Sequence, residues 1–173
     1  MTIIPDFGSD EATDRKLAII CSKGNLDMAY PALVLGNAAL GEGVETHLFF
    51  TFWGFDMIID SRMDNLKFSP AGNTAMHMPM RGRELRVPQA MMPLPGMTTM
   101  ATKRLQGSLD DLDIPPVREF LDQIVAAGGQ LWGCRMSADM NKVDMDDLYE
   151  GVVDIINASD FIELTDGAQL LFI

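Results

Sequence analysis

Apolar residues along this chain fall in short blocks, and the spacing within the blocks alternates between that of strands and that of helices. "KLAIICS" (16–22) is a compact run closed by a serine–lysine–glycine turn, and it predicts a buried strand. From Asn25, a helix cap by type, Leu26, Tyr30, Leu33, Val34, Asn37 and Ala38 recur near helical spacing until Gly41 and Gly43 end the pattern. Pro31 lies too deep for the first turn, so this helix is expected to begin late or to kink. "VETHLFFTF" (44–52) predicts a second strand and "WGFDMIIDS" (53–61) a short helix. The same order returns near the other end. "PPVREFLDQIVAAGG" (115–129) opens with proline and closes with glycine, as a helix does. "QLWGCRM" (130–136) predicts a strand, "DMDDLYEGVVDIINA" (144–158) a helix, and "FIEL" (161–164) a short strand. "TDGAQL" (165–170) predicts a brief turn and "LLFI" (170–173) a last strand. Strand–helix–strand units of this length imply parallel pairs joined by right-handed crossovers. The expected fold class is α/β, an open, mostly parallel sheet with helices on both faces.

Two stretches stand outside that order. Residues 1–15 are broken by proline and glycine and predict a flexible leader, leaving 16–173 as a single domain. Residues 61–114 hold Met63, Met76, Met78, Met80, Met91, Met92, Met97 and Met100 among many prolines and glycines, with no clear period. A segment of that length and character predicts an insertion that is a lid or partner surface, or disordered.

Composition narrows the class of function. The 173 residues carry a formal charge of −12, which disfavours nucleic acid and anionic membranes as partners and favours a protein with a basic face. The most apolar stretch, 48–59, is far shorter than the roughly 20 residues of a spanning helix, and no signal peptide opens the chain. A cytoplasmic protein without a membrane span is expected. The two cysteines, Cys21 and Cys134, form neither a disulfide framework nor a structural zinc site. No G-x-G-x-x-G follows the first strand, so no nucleotide and no organic cofactor is expected.

What chemistry remains gathers at strand ends, where ligands of open parallel sheets collect. Cys21 and Cys134 each close a strand. Beyond Cys134 come Arg135, Met136 and Ser137 and then a helix. A thiol facing free backbone N–H groups and a cation has its thiolate stabilised. The alternative is that either cysteine is ordinary core. Ser22, Gly24 and Asn25 form a polar turn feeding a helix, a place for an anionic sulfur species. Trp53 and Trp132 are placed to wall a pocket, and His47 inside an apolar strand reads as a core histidine. "MHMPM" (76–80) sets His77 among three thioethers, which leaves open a Cu(I)-binding protein, since soft ligands select that ion.

Three stretches together carry a family resemblance: "IICSKGNLDMAYPALVLGNAALGEGVETHLFFTFWG", "GGQLWGCRMSADM" and the Met- and Pro-rich middle. The chain resembles the DsrE/DsrF-like family over nearly all residues after 15. It is most similar to the branch found with rhodanese and TusA-like proteins, often labelled peroxiredoxin-like. The resemblance implies a Rossmann-like α/β domain that assembles into homo-oligomers, holds sulfane sulfur or a thiosulfonate on a cysteine, and passes it to partner proteins. The small sulfur species at issue are polysulfide, thiosulfate and tetrathionate. The family's reactive cysteine falls on Cys134, with Met136 and Ser137 matching its pattern. Cys21 has no role carried over from the family. A non-catalytic partner subunit with a structural Cys134 is the remaining alternative.

Overall fold

In the computed structural model of the protein, which describes residues 15–74, 76–80 and 83–173, five parallel strands make one sheet. In chain order the elements are β1 (Lys16–Cys21), α1 (Leu26–Gly41) and β2 (Glu45–Phe50), then the strands β3 (His77–Met80) and β4 (Arg83–Arg86). These are followed by α2 (Met97–Asp110), α3 (Val117–Ala126), β5 (Gln130–Cys134), α4 (Arg135–Asn141), β6 (Val152–Ile156), α5 (Ala158–Leu164) and β7 (Gln169–Phe172). The sheet runs β6-β5-β2-β1-β7, and every neighbouring pair in it is parallel. The α/β class and the parallel sheet are as the pattern predicts.

The two faces of the sheet are covered very unequally. Successive strand residues point to opposite faces. Leu17, Ile19, Cys21, Leu48, Phe50 and Leu131 join the large core under α1 and α3, to which α4 adds Ala138. Ala18, Phe49 and Cys134 face the other way, where the buried side chain above them is Phe161 of α5, its ring stacked on Phe49 at 4.5 Å. That division follows from topology. The chain steps in one direction across the sheet from β1 to β2, β5 and β6, so right-handed crossovers put α1, α3 and α4 on one side. Among the described residues only the return from β6 to β7 crosses the opposite face.

Several elements differ from their expected form. α1 starts at Leu26 without delay, with Pro31 on its exposed side. Its buried stripe is Leu26, Ala29, Ala32, Leu33 and Gly36, while Val34 is exposed, because small residues let the helix sit close to the sheet. A Cβ on Gly36 would already touch Leu48 at 3.5 Å. The expected helix over 144–158 is one 3-10 turn at Met145–Asp147, held by the Asp144 and Asp147 carboxylates, followed by β6. Gly151 ends the turn against the Tyr149 ring, and the β-branched run Val152–Ile156 takes the strand. "FIEL" belongs to helix α5 instead of a strand, since the Asp160 carboxylate accepts the backbone N–H of Asn157 and fixes a helix start there.

The middle segment holds the antiparallel β3–β4 pair and the helix α2. α2 escapes the pattern because it buries only Ala101 and Thr102. The side chains of His77, Met78 and Met80, on which the copper alternative rests, lie outside those described, as do residues 1–14 of the expected leader.

Candidate functional site

Cys134 is the last residue of β5 and the N-cap of α4, so its thiol sits where a strand end meets a helix start. The register Phe50↔Gly133 brings the residue after β2, Thr51, beside it. Thr51 is held there by its own N–H, which donates to the Cys21 carbonyl at 3.0 Å. Ser137, buried on the first turn of α4, completes the pocket: its Oγ lies 3.4 Å from Thr51 Oγ1 and accepts the Phe52 N–H at 2.7 Å. With that acceptor role filled, the Ser137 hydroxyl has its proton to give to sulfur.

These groups decide the ionisation of Cys134. Burial pushes its pKa up, the largest single influence, since only 5% of the residue is exposed. Hydrogen bonds from the Thr51 hydroxyl, the Ser137 N–H and hydroxyl and the Met136 N–H together outweigh it and hold the thiol below its ordinary value. Cys21 has no such donors. It is 2% exposed, and burial pushes its thiol up to about 12. Both cysteines close strands on the same sheet edge, but they face opposite sides, and both are free thiols.

The other candidates divide. Arg135 turns its guanidinium to the Ile155 carbonyl at 2.8 Å, so backbone and hydroxyl donors, and not this cation, lower the Cys134 pKa. Met136 is exposed beside the thiol. Ser22 binds the Ile173 carbonyl through both its N–H (2.7 Å) and its hydroxyl (2.9 Å). After the turn, the Leu26 N–H donates to Lys67 O, and those of Met28 and Ala29 to Asn25 O. Gly24 and Asn25 line a cleft of about 830 Å³ with Trp53, Arg62 and Lys67; Cys134 is not among its walls. Trp53, 66% exposed, lines that cleft from the turn that follows β2. Gly24 and Gly54 let the two loops interlock, since a Cβ would come within 2.2 Å of Trp53 O or 2.1 Å of Cys21 O.

Thr51 and Phe52 are site residues that the sequence pattern does not single out. Phe52 has φ +48°, a strained conformation for an aromatic residue, kept by the bond its N–H makes to Ser137. Their only signal is register, which becomes readable once β2 and β5 are known to pair.

A family model described as the DsrE/DsrF/DrsH-like family matches residues 13–172. The chain belongs to that family. Among curated proteins it is 32% identical over 156 residues to "Sulfur carrier protein DsrE2" of Allochromatium vinosum, an alignment spanning 90% of this chain and 96% of the relative. Among solved structures, the ychN protein from E. coli shares the fold at a TM-score of 0.52 and 13% identity, over 92% of this chain and 99% of that one. Among the described residues of this family member, no helix is long and apolar enough to cross a membrane. No group of three or more His, Cys, Asp or Glu side chains among them is placed to hold a metal ion.

Proposed function

We propose that this protein is a sulfur carrier whose working group is the Cys134 thiol. The observation that carries the reading is the donor set around that thiol: two hydroxyls and two N–H groups keep a buried sulfur ionisable. The name of the Allochromatium relative, a sulfur carrier, supports it.

In loading, the Cys134 thiolate attacks the outer sulfur of a persulfide R–S–SH. The donor's S–S bond breaks, its electron pair leaves on R–S⁻, and Cys134 becomes Cys134–S–SH. With tetrathionate the thiolate attacks one of the two central sulfurs, the central S–S bond breaks, and Cys134–S–S–SO₃⁻ forms as thiosulfate leaves. In delivery an acceptor thiolate R′–S⁻ attacks the outer sulfur of Cys134–S–SH. The electron pair of that S–S bond returns to Cys134 Sγ, and R′–S–SH departs. No oxidant or reductant is consumed. The donors that lower the Cys134 pKa act in both directions: they raise the thiolate fraction for loading and improve Cys134 as the leaving group for delivery. Sulfur-transfer proteins of the TusA-like and rhodanese-like kinds are the partners of this reading, in the cytoplasm, with the carrier itself a homo-oligomer.

Intact-protein mass spectrometry after incubation with polysulfide, thiosulfate and tetrathionate tests it. The expected result is a reductant-sensitive sulfur or thiosulfonate increment that peptide mapping assigns to Cys134. A folded protein that takes no increment from any of the three, with its thiol free, overturns the reading.

A further inference from the structure

The face of the sheet that carries Cys134 is apolar at its centre and sparsely covered by the described residues. Phe172 and Leu170 of β7 are 71% and 53% exposed, in register with Ile20 and Ala18 of β1. Trp132 and Ile156 are also only partly covered, and Ile156 is the β6 partner of Cys134. On α5, Ile162 stays exposed beside the buried Phe161.

Acidic residues bound this surface. Asp154 stands on β6 in register with Trp132, and Asp160, Glu163 and Asp166 lie on or just after α5; all four are exposed. Among the described residues none of the four forms an ion pair. Lys16 pairs with Glu45 at 3.7 Å, and the Arg135 guanidinium, bonded to the neutral Ile155 carbonyl, is the positive charge left beside Cys134. On the helix-covered side Arg118 bonds Asp60 and Asp64 and Arg62 bonds Asp56, while Glu42 and Glu119 form no ion pair among the described residues. Unneutralised carboxylates around an apolar patch beside a thiol are the complement of a cationic protein segment. An isologous contact with a second copy of this chain would set the same carboxylates against each other.

We propose that this face docks the sulfur acceptor, and that the acceptor presents its thiol on a segment rich in Lys or Arg. The inference rests on the sulfur-carrier reading and names its partner by chemistry. Delivery is the exchange already written: the docked thiolate takes the outer sulfur, and the S–S electron pair returns to Cys134.

The test uses the full chain loaded with polysulfide and two synthetic cysteine peptides of equal length, one flanked by lysines and one by glutamates. Each transfer rate is divided by that peptide's rate with a small organic persulfide, which removes the intrinsic reactivity of its thiol. At low ionic strength the lysine peptide is expected to be favoured at least about tenfold, falling toward parity near about 0.5 M NaCl. Glu163→Lys with Asp166→Lys should remove most of that preference. Glu42→Lys with Glu119→Lys, an equal change in net charge on the helix-covered side, should leave it. Loss of preference in both double variants, or no preference in the parent, overturns the proposal. So does a dimer, seen by sedimentation, that Phe172→Glu dissociates, since the face would then belong to a second copy. Calorimetry with a lysine peptide whose cysteine is replaced by serine separates the two readings. Its binding to a protein that will not load keeps the docking surface and removes the carrier function; loading without charge preference does the reverse.

Discussion

Cys21 and Cys134 end neighbouring parts of one sheet edge, and the difference between them comes from which face each one joins. Cys21 points into the core built by α1 and α3, among Ile19, Leu33 and Phe50, where nothing donates to sulfur and burial alone sets its pKa. Cys134 points to the face crossed, among the described residues, by α5 alone and finds Thr51, Ser137 and the start of α4. Burial is severe for both. A thiol becomes reactive here through the donors aimed at it, and those donors collect at a strand-to-helix junction. Cys21 still contributes to the site through its carbonyl, which anchors the N–H of Thr51.

The largest expected effect breaks the symmetry outright. Cys134→Ser should abolish the polysulfide increment, and Cys21→Ala should leave it intact. Mass spectrometry of both variants, with circular dichroism as the check on folding, reads the contrast. An increment that survives Cys134→Ser would put the reactive sulfur on the other face.

The same contrast holds for packing. Leu121 of α3 is fully buried on the well-covered face, so Leu121→Ala should destabilise the fold by about 2–5 kcal/mol. Phe172, mostly exposed on the sparse face, should change stability by no more than about 0.5 kcal/mol when replaced by alanine. Urea unfolding of the two variants compares them directly. A large loss from Phe172→Ala would mean that the sparse face is covered in solution.

Much of the fold is legible in the sequence, and the exceptions have physical causes. β1, β2 and β5 are apolar runs closed by turns, and each forms as a strand. β6 hides inside a stretch whose acidic start reads as a helix, because Asp144 and Asp147 cap a single 3-10 turn. α5 is apolar enough at Phe161 and Ile162 to read as a strand, and only Asn157 and Asp160 mark it as a helix. For the site, Cys134 at a strand end is visible. Thr51 is not, since it acts across a strand pair far apart in sequence. The face that each cysteine joins is equally hidden, because a shift of one residue in register inverts it, and β5 carries such an irregularity at Leu131/Trp132.

Alkaline stability sharpens the comparison further. The Cys21 thiol ionises near 9.0 in the unfolded chain but only near about 12 in the folded one. Its contribution is therefore complete below pH 9 and is lost as pH rises toward 12, because the unfolded state releases the proton first. The loss amounts to about 2 kcal/mol by about pH 10.5. Tyr30 and Tyr149, also raised by burial, act in the same direction, and Tyr149 donates to Asp122 as well. Cys134, with its folded value lowered, acts in the opposite sense: it adds stability as pH rises toward 9. Urea midpoints at pH 8 and 10.5 should converge in Cys21→Ala by the cysteine's share. A drop as steep as the parent's would show that Cys21 ionises freely in the fold.

The smallest effect concerns the donors themselves, and Thr51→Val is the cleaner way to reach it. Ser137→Ala would also strip the acceptor from the Phe52 N–H and disturb a strained loop, mixing stability with chemistry. Valine keeps the shape of Thr51 and its backbone bond to Cys21 while removing one hydroxyl from the sulfur. Thiolate absorbance near 240 nm, followed against pH and corrected with Cys134→Ser, should move upward. A hydrogen bond to a charged group contributes about 1.5–3 kcal/mol, and Ser137 and the two N–H groups retain part of the work. Polysulfide loading at neutral pH should then slow by about three- to tenfold. An unchanged titration with unchanged loading would assign the lowered pKa to the α4 start alone. Thr51 would then only fill space between the strands, and the difference between the two cysteines would reduce to the presence of a helix N-terminus beside one of them.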